Sequence, residues 1–205
     1  MIKQMCLSII IVNYRNYELT IKCIKSVKAS IKNINYEIIV IDNDSPNQSY
    51  EKILNEFNND NVVSVIKNNK NSGFGAANNL GAEKAGGEYV LFLNPDIVVV
   101  DNAIEKMLNK IKEDSEIGLL SGKLLNDDRS VQYSCRRILP LNKFLCCRTP
   151  ISKLVSKNKK EQYDFEYLMK DFNHDVSSEV EWVMGACVLM RKEFFFEVGK
   201  FSKEY

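Results

Sequence analysis

Short apolar, β-branched runs, each followed by a polar cluster and then a helical pattern, constrain this chain most. Residues 7–12 (LSIIIV), 37–41 (EIIVI), 62–66 and 89–93 (YVLFL) read as strands covered on both faces, and a fifth begins at 117–120. Between them lie helical patterns. Residues 18–31 place Leu19, Cys23, Val27 and Ile31 four apart, with Ile24 beside them. Residues 49–57 turn Ile53, Leu54 and Phe57 inward, 75–85 form a small-residue helix stopped by Gly86-Gly87, and 103–111 form another. Strands and helices in this alternation predict an α/β domain with right-handed crossovers and a mainly parallel central sheet flanked by helices. No repeat occurs at a fixed period.

Composition narrows the classes. With 205 residues, 45% hydrophobic and 27% charged, the chain can bury a real core, and neither a disordered chain nor a fibrous rod fits. Lys plus Arg number 28 against 27 Asp plus Glu, a net charge of +1, which disfavours a general nucleic-acid binder. No apolar run is long enough to span a bilayer, and residues 1–6 are too short and polar for a signal peptide. Six cysteines (Cys6, Cys23, Cys135, Cys146, Cys147, Cys187) show no Cys-x-x-Cys spacing, so a cytoplasmic chain with reduced thiols is expected.

In open α/β sheets ligands bind outside the carboxyl ends of the strands. Here those ends carry Asn13-Tyr14, Asp42-Asn43-Asp44, residues 68–75 and Asn94-Pro95-Asp96, so all four are expected to form one site. Asp42 can accept hydrogen bonds from a base or a ribose; taken alone, the residue fits a simple turn Asp better. In Asn71-Ser-Gly-Phe-Gly-Ala-Ala-Asn-Asn-Leu-Gly81, Gly73 and Gly75 allow close backbone approach before a helix start that offers free N–H groups. Asn78 stands where G-x-G-x-x-G would have its third glycine, and no Gly-Lys-Ser/Thr follows, so a plain helix start is the competing interpretation. Asp96, held at a strand end, suits Mg²⁺ or Mn²⁺, and a Pro-containing turn is its structural alternative.

Residues 136–178 differ in character and are expected to form a variable basic insertion, helical or a long acceptor-side loop. They carry Arg136, Arg137, Lys143, Arg148, Lys153, Lys157, Lys159 and Lys160 among Leu, Phe and Tyr. The insertion could face an anionic membrane or a phosphorylated acceptor, or simply be solvated. His174, the only histidine, lies between Asn173 and Asp175 and makes no metal site by itself. Cys146-Cys147 reads as a pair of small apolar residues. Residues 180–190 (VEWVMGACVLM) return to strand-like sequence, and 191–198 look like a short helix.

SIIIVNYRN, VIDNDSP, NKNSGFGAANNLG, YVLFLNPDIVV and VEWVMGACVLMRKEFFFEVGKF, in this order, resemble family 2 glycosyltransferases, most closely the bacterial rhamnosyltransferase-like branch that builds cell-surface polysaccharides. The likeness runs nearly the whole length and is loose at 139–169. It implies a single GT-A domain, with residues 1–122 as the nucleotide-binding half and 123–205 as the acceptor-side half. It further implies a nucleotide-diphosphate sugar donor, a saccharide or lipid-linked acceptor, a divalent metal, and a cytoplasmic location, peripheral at the membrane. By that likeness Asn13, Tyr14, Asp42, Asn71, Gly75, Asn78 and Asn94 would line the nucleotide pocket. Asp96, last position of the family's D-x-D motif with Asn94 at the first, would hold the metal. Trp182, Gly185 and His174 would lie on the sugar and acceptor side.

Inverting transfer needs a base opposite the leaving group. The family's base is expected just beyond Tyr205, so the chain reads as shortened and is expected to bind nucleotide while transferring sugar poorly. Glu204 does not align with that base; Glu181 and Asp175 are possible substitutes. Three other classes compete. A sugar-phosphate nucleotidyltransferase would carry a Gly-rich basic loop where this chain has NYRNYE. A non-catalytic nucleotide-sugar module fits the missing base. A receiver-like domain leaves GFGAANN and WVMGAC without a role.

Overall fold

The computed structural model describes residues 6–138, 140, 141, 143 and 156–202. Cys146, Cys147, Arg148, Lys153, Glu204 and Tyr205 lie outside the described residues. The chain divides into two compact units, one running to Gly122 and resuming at Gly185, the other spanning Lys123–Met184.

The first unit is built on β1 (Leu7–Asn13), α1 (Tyr17–Ser30), β2 (Tyr36–Asp42), α2 (Ser49–Glu56), β3 (Val63–Lys67), α3 (Phe74–Lys84), β4 (Tyr89–Leu93), α4 (Ala103–Glu113) and β5 (Leu119–Ser121). Every residue of β1 and β4 is buried, as continuous apolar runs in a sheet covered on both faces must be. β3, half-exposed, is an edge strand. In the second unit β6 (Leu124–Leu125) pairs with β7 (Val131–Gln132), and β8 (Cys135–Arg136) with β9 (Trp182–Val183), both antiparallel. The expected basic insertion contains α5 (Lys157–Tyr167), a helix with no buried residue that carries three lysines and three acids, so it is not itself basic. The chain then rejoins the first unit with β10 (Cys187–Arg191) and α6 (Lys192–Glu197).

The sheet order is β3-β2-β1-β4-β10-β5. β3, β2, β1 and β4 are mutually parallel, whereas β10 runs antiparallel to both β4 and β5. The order therefore grows one way from β1 to β3, then returns to the other side of β1 at β4. In open α/β sheets such a reversal marks where ligands bind, here the carboxyl ends of β1 and β4. The strand-like run at 180–190 is two strands in two sheets. Residues 182–183 serve β8 while 187–191 serve β4, so the backbone breaks between them.

Two details depart from the sequence pattern. Thr20, not Leu19, occupies the buried stripe of α1, because its hydroxyl donates to Asn13 Oδ1 (2.9 Å) while Leu19 faces solvent. Arg191 spreads its guanidinium over the carbonyls of Ile111 (2.7 Å), Asp114 (3.1 Å) and Ile117 (2.8 Å), and so ties the end of α4 to the start of β5.

α3 lies directly on β1 and β2, and its small residues allow this. A Cβ built on Gly81 would sit 2.5 Å from Ile10 Cγ2, in the fully buried heart of the sheet. Overpacking of this kind costs about 1–3 kcal/mol, more than the roughly 1 kcal/mol that alanine gains over glycine in a helix. Gly81→Ala is therefore expected to lower the urea midpoint. The loss should shrink in an Ile10→Ala background, as a double-mutant cycle would read; additive losses would contradict the contact.

Candidate functional site

The carboxyl ends of β1, β2 and β3 are bound together by side chains. Asn13 and Asp42 stand opposite each other in the parallel register and both are fully buried. Asn13 Nδ2 donates to Asp42 Oδ2 at 2.6 Å. Ser45 adds its backbone N–H to Oδ1 (3.0 Å) and its hydroxyl to Oδ2 (2.8 Å). The Thr20 hydroxyl on α1 donates to Asn13 Oδ1 (2.9 Å), and Arg15 N–H donates to Ser45 Oγ (2.9 Å). A buried carboxyl group is tolerated only when so satisfied.

Next to it, Asn43 is the hub for the loop after β3. Its Nδ2 donates to Asn71 Oδ1 (2.9 Å), and its Oδ1 accepts from Asn68 Nδ2 (2.9 Å) and Ser72 N–H (3.2 Å). Backbone bonds join the same tips, Asn43 N–H to Asn13 O and Asn68 N–H to Asp42 O, both 2.8 Å. Asn71 Oδ1 also takes the N–H of Gly73, the residue before α3. The groups presented to solvent around this frame are Tyr14, Arg15, Asp44 and Asn71, Asp44 in the left-handed region at φ 62°.

At the end of β4, the strand paired with β1, Asn94 is half-buried and Asp96 exposed. Asn94 N–H donates to Ala186 O (2.9 Å), and its carbonyl accepts from Ile97 N–H and from the thiol of Cys23 on α1 (3.6 Å). The fully buried Cys23 thiol is pushed up to about 12, by desolvation first and then by the negative field of Asp96 and by Cys187. Burial likewise raises Cys187 to about 11. Among the described residues no cluster of three or more His, Cys, Asp or Glu side chains could cage a metal. A cation at Asp96 would have to share it with oxygens from a ligand, and an exposed hard carboxylate at a strand tip suits that.

Of the residues singled out from sequence, Asn13, Asp42 and Asn71 come together through this network. Asn94 and Asp96 stand at the adjacent strand tip, and Tyr14 follows β1 in the open. Gly75 and Asn78 are buried. Gly75 lies under the backbone of Ser202, and Asn78 Nδ2 donates to Phe74 O of its own helix (3.0 Å). Gly185 belongs to the first unit, where a Cβ on it would meet only the Phe74 ring, at 3.9 Å.

Trp182 and His174 belong to the second unit. Trp182 is half-exposed, with the Arg136 guanidinium 5.8 Å from its ring centre. His174 packs edge-on against Tyr133 and Phe172, its Nε2 3.3 Å from Met169 O. Asp175 pairs with Lys123 (2.6 Å), which holds its carboxyl below the usual range, and Glu181 accepts the N–H of Ile138. The ion pair weakens Asp175 as a proton acceptor.

Three contributors escaped the sequence reading: Thr20, Ser45 and Asn79. Ser45 had a signal, since Asp-x-x-Ser after a strand is the spacing of an Asx-type turn. Asn79 shared the buried side of a small-residue helix with Asn78, and nothing local separates the two.

The sequence model of glycosyl transferase family 2 matches residues 8–195. The chain belongs to that family. This glycosyltransferase domain is 30% identical over 115 residues to a dolichol-phosphate mannosyltransferase of Pyrococcus furiosus, covering 56% of this chain and 32% of that protein. It is 33% identical over 124 residues to a poly(ribitol-phosphate) beta-glucosyltransferase of Bacillus spizizenii, covering 58% and 19%. The chain thus spans about a third or less of these relatives. A crystal structure of S. aureus TarS residues 1–349 superposes with a TM-score of 0.61 at 18% identity, over 98% of this chain and 51% of that one. Family and neighbour agree on the GT-A fold. Among the described residues no helix is long and apolar enough to cross a membrane.

The buried thiols of the glycosyltransferase domain give a pH test. A thiol raised from an ordinary 9.0 keeps its proton in the folded state while the unfolded chain loses it. Stability is then fully present below about pH 9 and falls as pH climbs towards 12. The urea midpoint should drop between about pH 8.5 and 10.5, and Cys23→Ala should flatten part of that drop. A midpoint equally steep in Cys23→Ala and Cys187→Ala would contradict the assignment.

Proposed function

We propose that this domain is the donor-binding, catalytic part of an inverting glycosyltransferase that moves a sugar from a nucleoside diphosphate to a hydroxyl of a cell-surface polysaccharide or its lipid-linked precursor. The observation that carries the reading is the shared edge of four parallel strand ends, with the order reversing between β1 and β4. Family membership supports the reaction class. The name of the Bacillus spizizenii relative supports a polyhydroxy surface polymer as acceptor, and the branch likeness points to rhamnose as the sugar.

The division of labour follows from exposure. Asn13, Asp42 and Asn43 are buried and hold the rim; Tyr14, Asp44, Asn71 and Asp96 are accessible and meet the donor. Negative charge grows on the departing diphosphate, and preorganised donors that face it lower the barrier. The N–H groups of the first turn of α3 would be such donors, beyond those of Ser72 and Gly73, which Asn43 and Asn71 already hold. Asp96 would hold a divalent cation, Mn²⁺ or Mg²⁺, which neutralises diphosphate charge when bound. A second reading is a nucleotide-sugar binder without turnover. The engagement of Asp175 by Lys123 favours it, because a carboxylate held below the usual range is a poor proton acceptor.

Calorimetry with UDP, dTDP and GDP, with and without Mn²⁺, tests the proposal. One nucleotide should bind in the micromolar range, about tenfold more weakly without Mn²⁺, and Asp96→Ala should abolish that difference. No binding by any of the three would overturn the site. Binding indifferent to both Mn²⁺ and Asp96 would remove only the cation. Release of nucleoside diphosphate from the matching sugar donor separates enzyme from binder.

A further inference from the structure

The last described residues double back over α3. After α6 the chain turns through two left-handed residues, Gly199 (φ 92°) and Lys200 (φ 67°). Three successive residues then meet α3 at four-residue intervals. Lys200 Nζ pairs with Glu83 Oε1 (2.9 Å). Phe201 N–H donates to Asn79 Oδ1 (3.1 Å), and Asn79 Nδ2 donates to Phe201 O (2.9 Å). The Ser202 carbonyl lies so close to Gly75 that a Cβ there would sit 2.7 Å from it. Positions 83, 79 and 75 step towards the amino end of the helix. The segment therefore runs antiparallel to α3 and arrives at its first turn, beside the loop that Asn43 holds.

The aromatic rings follow the same path. Phe201 lies 4.8 Å from Phe92 and 5.3 Å from Phe195 between centroids, which roots the segment in the core. It also lies 6.1 Å from Phe74, the first residue of α3, whose ring stays half-exposed. Asn79 is only 2% exposed, and it satisfies the N–H and C=O of one residue at once. A carboxylate of that size could accept but not donate, and leucine could do neither, leaving buried groups unpaired.

We propose that residues 199–202 form a strap bordering the nucleotide site, and that Asn79 is the positioning residue that sets where the strap meets it. This rests on the nucleotide reading above. Phe74 is the physical link, because its ring touches the strap while its backbone opens the helix that receives the donor.

Hydrogen exchange on the full chain tests the proposal, with UDP plus Mn²⁺ as probe, or dTDP or GDP if calorimetry selects one of them. In the native protein, nucleotide is expected to slow exchange in peptides covering 199–202 as well as 71–78, by about tenfold. Asn79→Leu should speed exchange at Phe201, remove the nucleotide-dependent slowing there and weaken nucleotide affinity several-fold. Gly75→Ala keeps Asn79 but displaces the Ser202 backbone; it should reproduce the weakened affinity, and it carries the test if Asn79→Leu does not fold. A simple loss of packing would lower the melting temperature without touching the ligand-dependent slowing. If nucleotide binds while exchange at 199–202 ignores it, or if the folded variants bind like the native chain, the strap is not part of the site and the proposal is overturned, with the nucleotide reading intact. If none of the three nucleotides binds, the reading beneath it fails and this inference with it.

Discussion

The architecture turns on a buried carboxyl group. Asp42 has no exposed surface, and its oxygens take bonds from Asn13 and twice from Ser45. Were any of these lost, an unpaired polar group would stand in the sheet's interior, at a cost of about 1–3 kcal/mol. Strand register, the turn after β2 and the start of α1 are thereby tied to one another. The rim is rigid because its scaffold is buried. Tyr14, Asp44 and Asp96 around it are exposed and lie outside that buried network.

The same economy runs through α3. One face of the helix is stripped to Gly75, Ala77, Asn78, Asn79, Gly81 and Ala82, all buried. Gly81 lets the helix lie on Ile10, Gly75 admits the backbone of Ser202, and Asn79 grips Phe201. A helix with so little apolar side chain gains little from burial alone; its position is set by close backbone approach and by amide hydrogen bonds. The loop before it is held by Asn43 in the same fashion. Short polar side chains, not bulk, organise the half of the molecule that faces the ligand.

Much of this was legible from residues alone. The strands announced themselves because both faces of β1 and β4 are covered, which leaves unbroken apolar runs. The edge location of the polar clusters followed from parallel topology. Roles within the clusters were less legible. Asp42 and Asp96 look alike in sequence, each an acid after a buried strand, yet one is sealed by its neighbours and the other is open. That difference depends on Asn13 and Ser45, one of which is distant in sequence. The contacts of Gly75 with residues 201–202 and the bond of Asn78 within its own helix were likewise not legible in the local pattern. The antiparallel course of β10 was not visible either, since its direction depends on residues 123–184 leaving the sheet and returning.

The central claim is that the carboxyl ends of β1 to β4 form one rim that receives a nucleotide and its cation. The most direct measurement is paramagnetic broadening of backbone amide resonances by Mn²⁺ bound with UDP, or with whichever nucleotide binds. The account predicts strong broadening at Asn13, Asn43, Gly73 and Asp96, with sharp signals at Ser8 and Gly87 at the other end of the strands. Broadening centred on Ser8 and Gly87, or spread evenly over the surface while the nucleotide is bound, would contradict it.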